Sequence, residues 1–307
     1  MKKKLVALIL LIGVIPVLAS FLVFQASVEK NRREDFDRLN TVKVQAIQSD
    51  VTALYDKHIA VLKLLARSSA VRSYDLDNVK EILADMEKAY PMFIPVAADR
   101  GGRQVVKTAT YSMSGIADRR FYIEAMTGRE EVLSEVVVSR STGLSTVILA
   151  TPIYGDDGTV TGVMQGSINL LKLTDFVKER TDGAVTAFIV DTEGKIMAHP
   201  NSELVAERKD VAKTAYFQKG AGGLSGVEEV IDDKGNKALV YYAGEKKTGW
   251  VVCMETPVQM LQERSGEMTR RALPVVGVTL LVVTALGYFL VNRIVNPAKI
   301  GSRDQQG

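Results

Sequence analysis

Residues that carry most hydrolytic and redox chemistry are scarce in this chain. Cys253 is the only cysteine among 307 residues, so no internal disulfide can form. The two histidines, His58 and His199, lie far apart, and no Cys/His group has the spacing of a zinc site. Net charge is only +3, and no run of Lys and Arg with interleaved aromatics appears in the middle of the chain, so a nucleic-acid footprint is lacking. The glycine-rich stretch from Gly220 to Gly226 has neither the lysine nor the spacing of a phosphate loop. Asp156-Asp157 and Asp232-Asp233 read as hairpin turns, with too few ligands around them for calcium. No serine, cysteine or carboxylate converges on a histidine from sequence. The expectation is therefore no enzyme, no metal and no cofactor. A last absence concerns structure: there is no glycine or proline between Ser27 and Tyr90.

What is present is strongly segregated. Overall, 47% of residues are hydrophobic and 24% charged, as in a soluble globular protein with room for about two domains. Yet the apolar residues concentrate in two uncharged runs of twenty, Leu5 to Phe24 and Ala272 to Val291. A helix of about 20 residues rises about 30 Å, enough for a bilayer core. The first run invites a second reading, a cleaved signal peptide ending near Val17-Leu18-Ala19, but it continues apolar through Phe24, which favours an anchor. Lys2 to Lys4, and Arg293, Lys299 and Arg303, suit a cytoplasmic side for both ends, although Arg270 and Arg271 weaken the asymmetry. The expected layout is a cytoplasmic 1–4, spans at 5–24 and 272–291, an outer domain over 25–271, and a short cytoplasmic 292–307 with no room for an output domain.

Within the outer domain, Ser27 to Ala66 reads as one long helix with a narrow apolar stripe suited to pairing with a second helix or protomer. A shorter helix over Asp77 to Ala89 follows, with Asp77 as its expected N-cap. The pattern then turns to strands. Phe93 to Ala97, with Pro95 suggesting an edge, returns through Asp99-Arg100-Gly101-Gly102 into Gln104 to Thr110. A short helix, Phe121 to Met126, precedes strands at Glu135 to Ser139, Thr146 to Ile153 and Thr161 to Leu170. After a helical run from Leu173 to Arg180 the order recurs: Ala184 to Val190, Lys195 to Ala198, a helical Val211 to Gln218, then Val227 to Ile231, Ala238 to Ala243 and Trp250 to Glu255. Each block suggests a five-stranded antiparallel sheet with helices on one face.

The candidate site is Asp118-Arg119-Arg120-Phe121-Tyr122. Arg119 offers a planar fork suited to a carboxylate, and Tyr122 a hydroxyl that needs a partner if buried. Asp118 reads as the N-cap of the short helix, and Arg120 as solvent-facing.

Taken with Val138-Ser139-Arg140-Ser141-Thr142-Gly143, Ala198-His199-Pro200, Thr248-Gly249-Trp250-Val251-Val252 and Ile294-Val295-Asn296-Pro297, this arrangement resembles the extracytoplasmic sensor half of bacterial chemoreceptors of the double Cache type. The last of these stretches looks like the start of a HAMP relay, cut short here. The resemblance implies an α+β fold: a long N-terminal stalk helix (27–66), then two tandem PAS-like antiparallel-sheet subdomains, membrane-distal 67–172 and membrane-proximal 181–255, flanked by two transmembrane helices. It implies a multi-pass protein of the inner (cytoplasmic) membrane, a homodimer through the stalk, and chemotactic sensing of a small carboxylate or amino acid in the distal subdomain. Sensor histidine kinases and cyclic-dinucleotide enzymes use similar sensor halves, and a membrane-anchored binder without signalling also fits. In amino-acid-binding members an Arg-x-aromatic-Tyr motif grips the carboxylate and a later Asp the ammonium. Arg119, Phe121 and Tyr122 match the first part, and the Asp position falls at Asn169. An aromatic expected five positions before the arginine falls on Ser114, with Tyr111 nearby. Ser139 completes the expected ligand set. Asn169 accepts a hydrogen bond but brings no counter-charge, so the resemblance favours a carboxylate without requiring an amino group.

Overall fold

The computed structural model describes residues 2–295, apart from 91, 108–112, 182, 184 and 232–234. The chain divides into two units, residues 1–38 with 258–307, and Leu39–Pro257. In the first unit lie the beginning of helix α1 (Lys2–Arg67) and helix α8 (Gln259–Val295). Both contain apolar stretches of mean hydropathy 2.2, long enough to cross a membrane. Pro16 does not interrupt α1, which continues without a break through the predicted stalk.

In the second unit α1 buries Val44, Ile47, Val51, Tyr55, Ile59 and Leu62, a spacing of three and four that sets one face of the helix against the rest of the unit. Two short helices follow, α2 (Ser69–Arg72) and α3 (Leu76–Ala89). The cap of α3 is Asp75, whose side chain accepts the N–H of Asn78, and not the expected Asp77, which lies inside the first turn.

The first sheet holds β1 (Ile94–Asp99), β2 (Gln104–Lys107), β3 (Val132–Leu133), β4 (Val137–Val138), β5 (Ser145–Tyr154) and β6 (Val160–Asn169). Its order is β2-β1-β6-β5-β3, with β4 also on β5. Two expectations change. The strand predicted over Glu135 to Ser139 shrinks to β4, and a short strand that was not predicted, β3, precedes it; between them Ser134 spends its side chain on the ladder, its Oγ accepting the N–H of Ile148 at 2.9 Å. Pro95 is in an interior strand. It is tolerated because β2 pairs β1 only from Val96 to Ala98, leaving Pro95 beyond the ladder on that side. The return strand is described only as far as Lys107; its predicted end at Thr110 lies outside the described residues.

Helix α4 (Arg120–Met126) covers one face of this sheet. Phe121, Tyr122 and Ala125 pack with Ala98, Val132, Ile148, Ala150 and Val163. Helix α5 (Leu170–Lys178) begins three residues earlier than predicted, because Asn169 caps it. The second sheet holds β7 (Thr186–Val190), β8 (Ile196–Ala198), β9 (Ser225–Ile231), β10 (Lys237–Gly244) and β11 (Val251–Pro257), in the order β8-β7-β11-β10-β9. Between β8 and β9 come α6 (Ser202–Ala206), which the sequence did not signal, and α7 (Ala215–Ala221), a later and shorter helix than Val211 to Gln218. The predicted strand start at Ala184 and the turn at 232–234 lie outside the described residues.

The two sheets share one strand order, the path β8-β7-β11-β10-β9 corresponding to β2-β1-β6-β5-β3 with β4 left over. Asp99 Oδ1 accepts the N–H groups of Gly101 and Arg103, and Asp191 Oδ1 accepts those of Glu193 and Lys195. Gly102 and Gly194, at φ +73° and +80°, follow these aspartates by three positions, and a Cβ on either would strike Ala117 or Ala212 within 2.7 Å. Isolated bridges Arg103 to Gly115 and Lys195 to Asp210 then occupy the same place in each half. From this frame the registers equate Ser114 with Lys209, Ser167 with Glu255, Gln165 with Cys253, and Ile148 with Val240.

Candidate ligand site

Arg119 holds the N-cap position of α4 in extended conformation, with no side-chain cap. That frees its guanidinium to reach across the sheet face, where Nη2 donates to the carbonyl of Val138 at 3.1 Å. Asp118, the expected cap, is instead held by Arg140 through two bonds of 2.8 and 2.5 Å. The Arg140 hydrogen bond holds the Asp118 carboxyl down at about 2. Arg140 also donates to the Gly115 carbonyl, so this pair ties the chain before α4 to the loop after β4. Arg120 points away and pairs with Glu124, which also receives Arg129. Among the described residues, Arg119 makes no ion pair.

Arg119 lines a small cavity of about 40 Å³ with Gln104, Ser114, Phe121, Ser139, Ile148 and Gln165. The volume holds little more than a water molecule or two. Gln165 is 4% exposed, and its Oε1 has no partner among the described residues. A buried, unpaired amide oxygen costs about 1–3 kcal/mol, so it marks a place where a donor belongs. Gln165 shares a sheet face with Val163 and Ser167, below α4. The sequence signal was a polar residue in a strand otherwise made of small and apolar residues.

The other predicted site residues part company. Phe121 lines the cavity as part of the core. Ser139 lines it as well, while its Oγ accepts the N–H of Thr142. Tyr122 is 5% exposed and its hydroxyl donates to the carbonyls of Asp99 and Arg100, so it braces the β1–β2 turn and does not line the cavity. Asn169 Oδ1 accepts the N–H of Lys172 at 2.8 Å, capping α5 at the far end of β6. Tyr111 lies outside the described residues.

Among the described residues, three larger cavities exist elsewhere, the smallest of them about 270 Å³, beside Arg72 and Tyr154. A crevice of about 500 Å³ runs between the two sheets, past Tyr55, Glu131 and Lys247. Some of its charges are paired: Lys63 binds Glu131 at 2.6 Å, and Lys247 binds Asp56 at 2.6 Å. Tyr55, buried beside Glu131, is pushed up to about 12 and stays protonated. The crevice is polar and partly neutralised by these pairs, and size alone does not make it the site. The second cavity, of about 410 Å³, lies in the second half.

A family model described as dCache_1, Cache domain, matches residues 24–265. The chain belongs to this Cache family. Among curated proteins, this Cache chain is 26% identical over 152 residues to the methyl-accepting chemotaxis protein McpC of Bacillus subtilis, covering 49% of this chain and 22% of McpC. It is 23% identical over 240 residues to the methyl-accepting chemotaxis protein PscA of Pseudomonas syringae, covering 72% of this chain and 36% of PscA. The chain thus spans between a fifth and about a third of the length of these relatives. Among solved structures, the ligand-binding domain of the Pseudomonas fluorescens chemoreceptor CtaA in complex with L-serine shares its fold, with TM-score 0.61 and 21% identity, covering 74% of this chain and 99% of that one.

Proposed function

We propose that this Cache protein is the sensing part of a membrane-anchored chemoreceptor, with no enzymatic activity of its own. It takes a small carboxylate or amino acid in the first, membrane-distal sheet unit. The observation that carries this is Arg119, a guanidinium with no ion pair among the described residues, over a cavity with an unpaired amide oxygen on Gln165. Arg119 grips the carboxylate; Gln165 Oε1 receives a donor from the ligand, the place of Asn169 in this role being taken by its capping bond. The CtaA ligand, L-serine, has both groups. Because the cavity is only about 40 Å³, a ligand of that size enters by displacing the loop after β4, and this displacement is the signal. The α1 stalk and α8 carry it across a cytoplasmic membrane as two spans. The stalk pairs with a second copy, a role that suits Leu39 and Val42, whose side chains are 54% and 58% exposed on one face of α1.

The test is a thermal-shift screen of amino acids and short carboxylates on the full chain in lipid nanodiscs. At least one ligand raises the melting temperature, and Arg119→Ala weakens that ligand about 10- to 100-fold, the worth of one or two charge-assisted hydrogen bonds. Unchanged affinity of every ligand in Arg119→Ala places the site elsewhere.

A further inference from the structure

We propose that the second half holds a second small-molecule site, built for a zwitterionic amino acid with an apolar side chain. Its cavity of about 410 Å³ lies under α7, at the position where the first half keeps its cavity of about 40 Å³. The two are equivalent wall by wall: Val240 stands where Ile148 stands, Val211 where Ile116 does, and Tyr216 where Phe121 does.

The chemistry has been rearranged within the same frame. The arginine at the N-cap of α4 is replaced by Thr214 at the N-cap of α7. A cation reappears at Lys209, the counterpart of Ser114, and an anion at Glu255, the counterpart of Ser167. The cavity is therefore lined by one cation, Lys209, and two carboxylates, Asp210 and Glu255; Asp210 Oδ1 already accepts the N–H of Ala212, and Glu255, on a different element from Lys209, supplies the charge that faces an ammonium. His199 adds a directional donor. Its Nδ1 accepts the N–H of Asn201 at 2.9 Å, which puts the proton of the neutral ring on Nε2. Burial, and then the nearby Lys209 charge, lower the His199 pKa and keep the ring neutral. Phe188, its ring 5.6 Å from that of His199, together with Ile196 and Val240, gives the apolar wall for the side chain. The volume is within the range of small-molecule sites.

The experiment uses the full chain in nanodiscs carrying Arg119→Ala, so that it is independent of the first site. L-leucine is titrated by calorimetry beside 4-methylpentanoate, which lacks the amino group, and 3-methylbutan-1-amine, which lacks the carboxylate. Expected is saturable L-leucine binding, at least tenfold tighter than either analogue and at least tenfold weakened by Glu255→Gln. As a check that survives an unstable Glu255 variant, the two histidine ring signals are followed by NMR and assigned with His58→Gln. L-leucine moves the His199 signal and leaves that of His58 in place. Absence of binding, equal binding of either analogue, insensitivity to Glu255→Gln, or an unmoved His199 signal each overturns the proposal.

Discussion

At the scale of single residues, the decisive comparison is between Asn169 and Gln165. Both are neutral amide side chains on β6, but the Asn169 oxygen caps α5 while the Gln165 oxygen is buried without a partner. Asn169→Ala should therefore cost about 1 kcal/mol of stability, the usual worth of an N-cap, and leave ligand affinity within about twofold. Gln165→Leu should do the opposite: equal or greater stability, since it removes an unpaired buried oxygen, with ligand affinity reduced about tenfold. Urea unfolding and calorimetry on the two variants separate these roles, and a tenfold loss of binding in Asn169→Ala would reverse the assignment. Arg119 stood out in the sequence within a cluster of two basic and two aromatic residues, and its role as the carboxylate grip is the proposal made above. Gln165 was not, because only the register of β6 against its neighbours shows which face a strand residue takes. The need of Tyr122 for a hydroxyl partner was legible, and the partner that the fold supplies is the β1–β2 turn.

At the scale of elements, the glycine- and proline-free stretch announced a long helix; α1 begins well before that stretch and ends at Arg67, inside it. Strand boundaries were harder to read wherever a side chain does the work of the backbone, as Ser134 does between β3 and β4. The same close fit operates on the opposite face of the sheet. Gly166 lies under Phe93 so tightly that a Cβ there would meet the ring at 1.9 Å, and Phe93 in turn packs 4.4 Å from the His58 ring on α1. Gly166→Val should thus destabilise the protein by about 1–3 kcal/mol through overpacking, measured by chemical denaturation. A neutral outcome would mean that the helix and sheet separate there without cost.

At the scale of the whole molecule, two buried titratable groups, His58 and Glu245, and the half-buried His199 set the response to pH. His58 is 3% exposed, donating from Nδ1 to Leu54 O on the neutral reading of the ring; burial lowers its pKa, as it does that of His199. The unfolded chain takes up protons that the folded chain resists, so stability declines as pH falls below about 6.5. Glu245, 3% exposed, links α1 to the second sheet by accepting the hydroxyl of Thr52 at 2.9 Å. Burial would raise its pKa, but the bonds from Thr248, Lys247 and Thr52 outweigh burial and lower it. Its contribution is complete above the ordinary carboxylate range and is lost in more acid solution. Melting temperature should therefore fall first below pH 6.5, in a step that His58→Gln diminishes, and again in acid. A flat profile between pH 7.5 and 5.5 would contradict the burial of His58 and the partial burial of His199. The lone cysteine has a practical consequence here. Cys253 is fully buried and its thiol is pushed well up, so thiol reagents find the native protein silent. Any cysteine introduced on the stalk, at Leu39 or Val42 for instance, becomes the sole reactive handle, and the wild-type chain serves as its own blank for cross-linking and spin-label distance measurements.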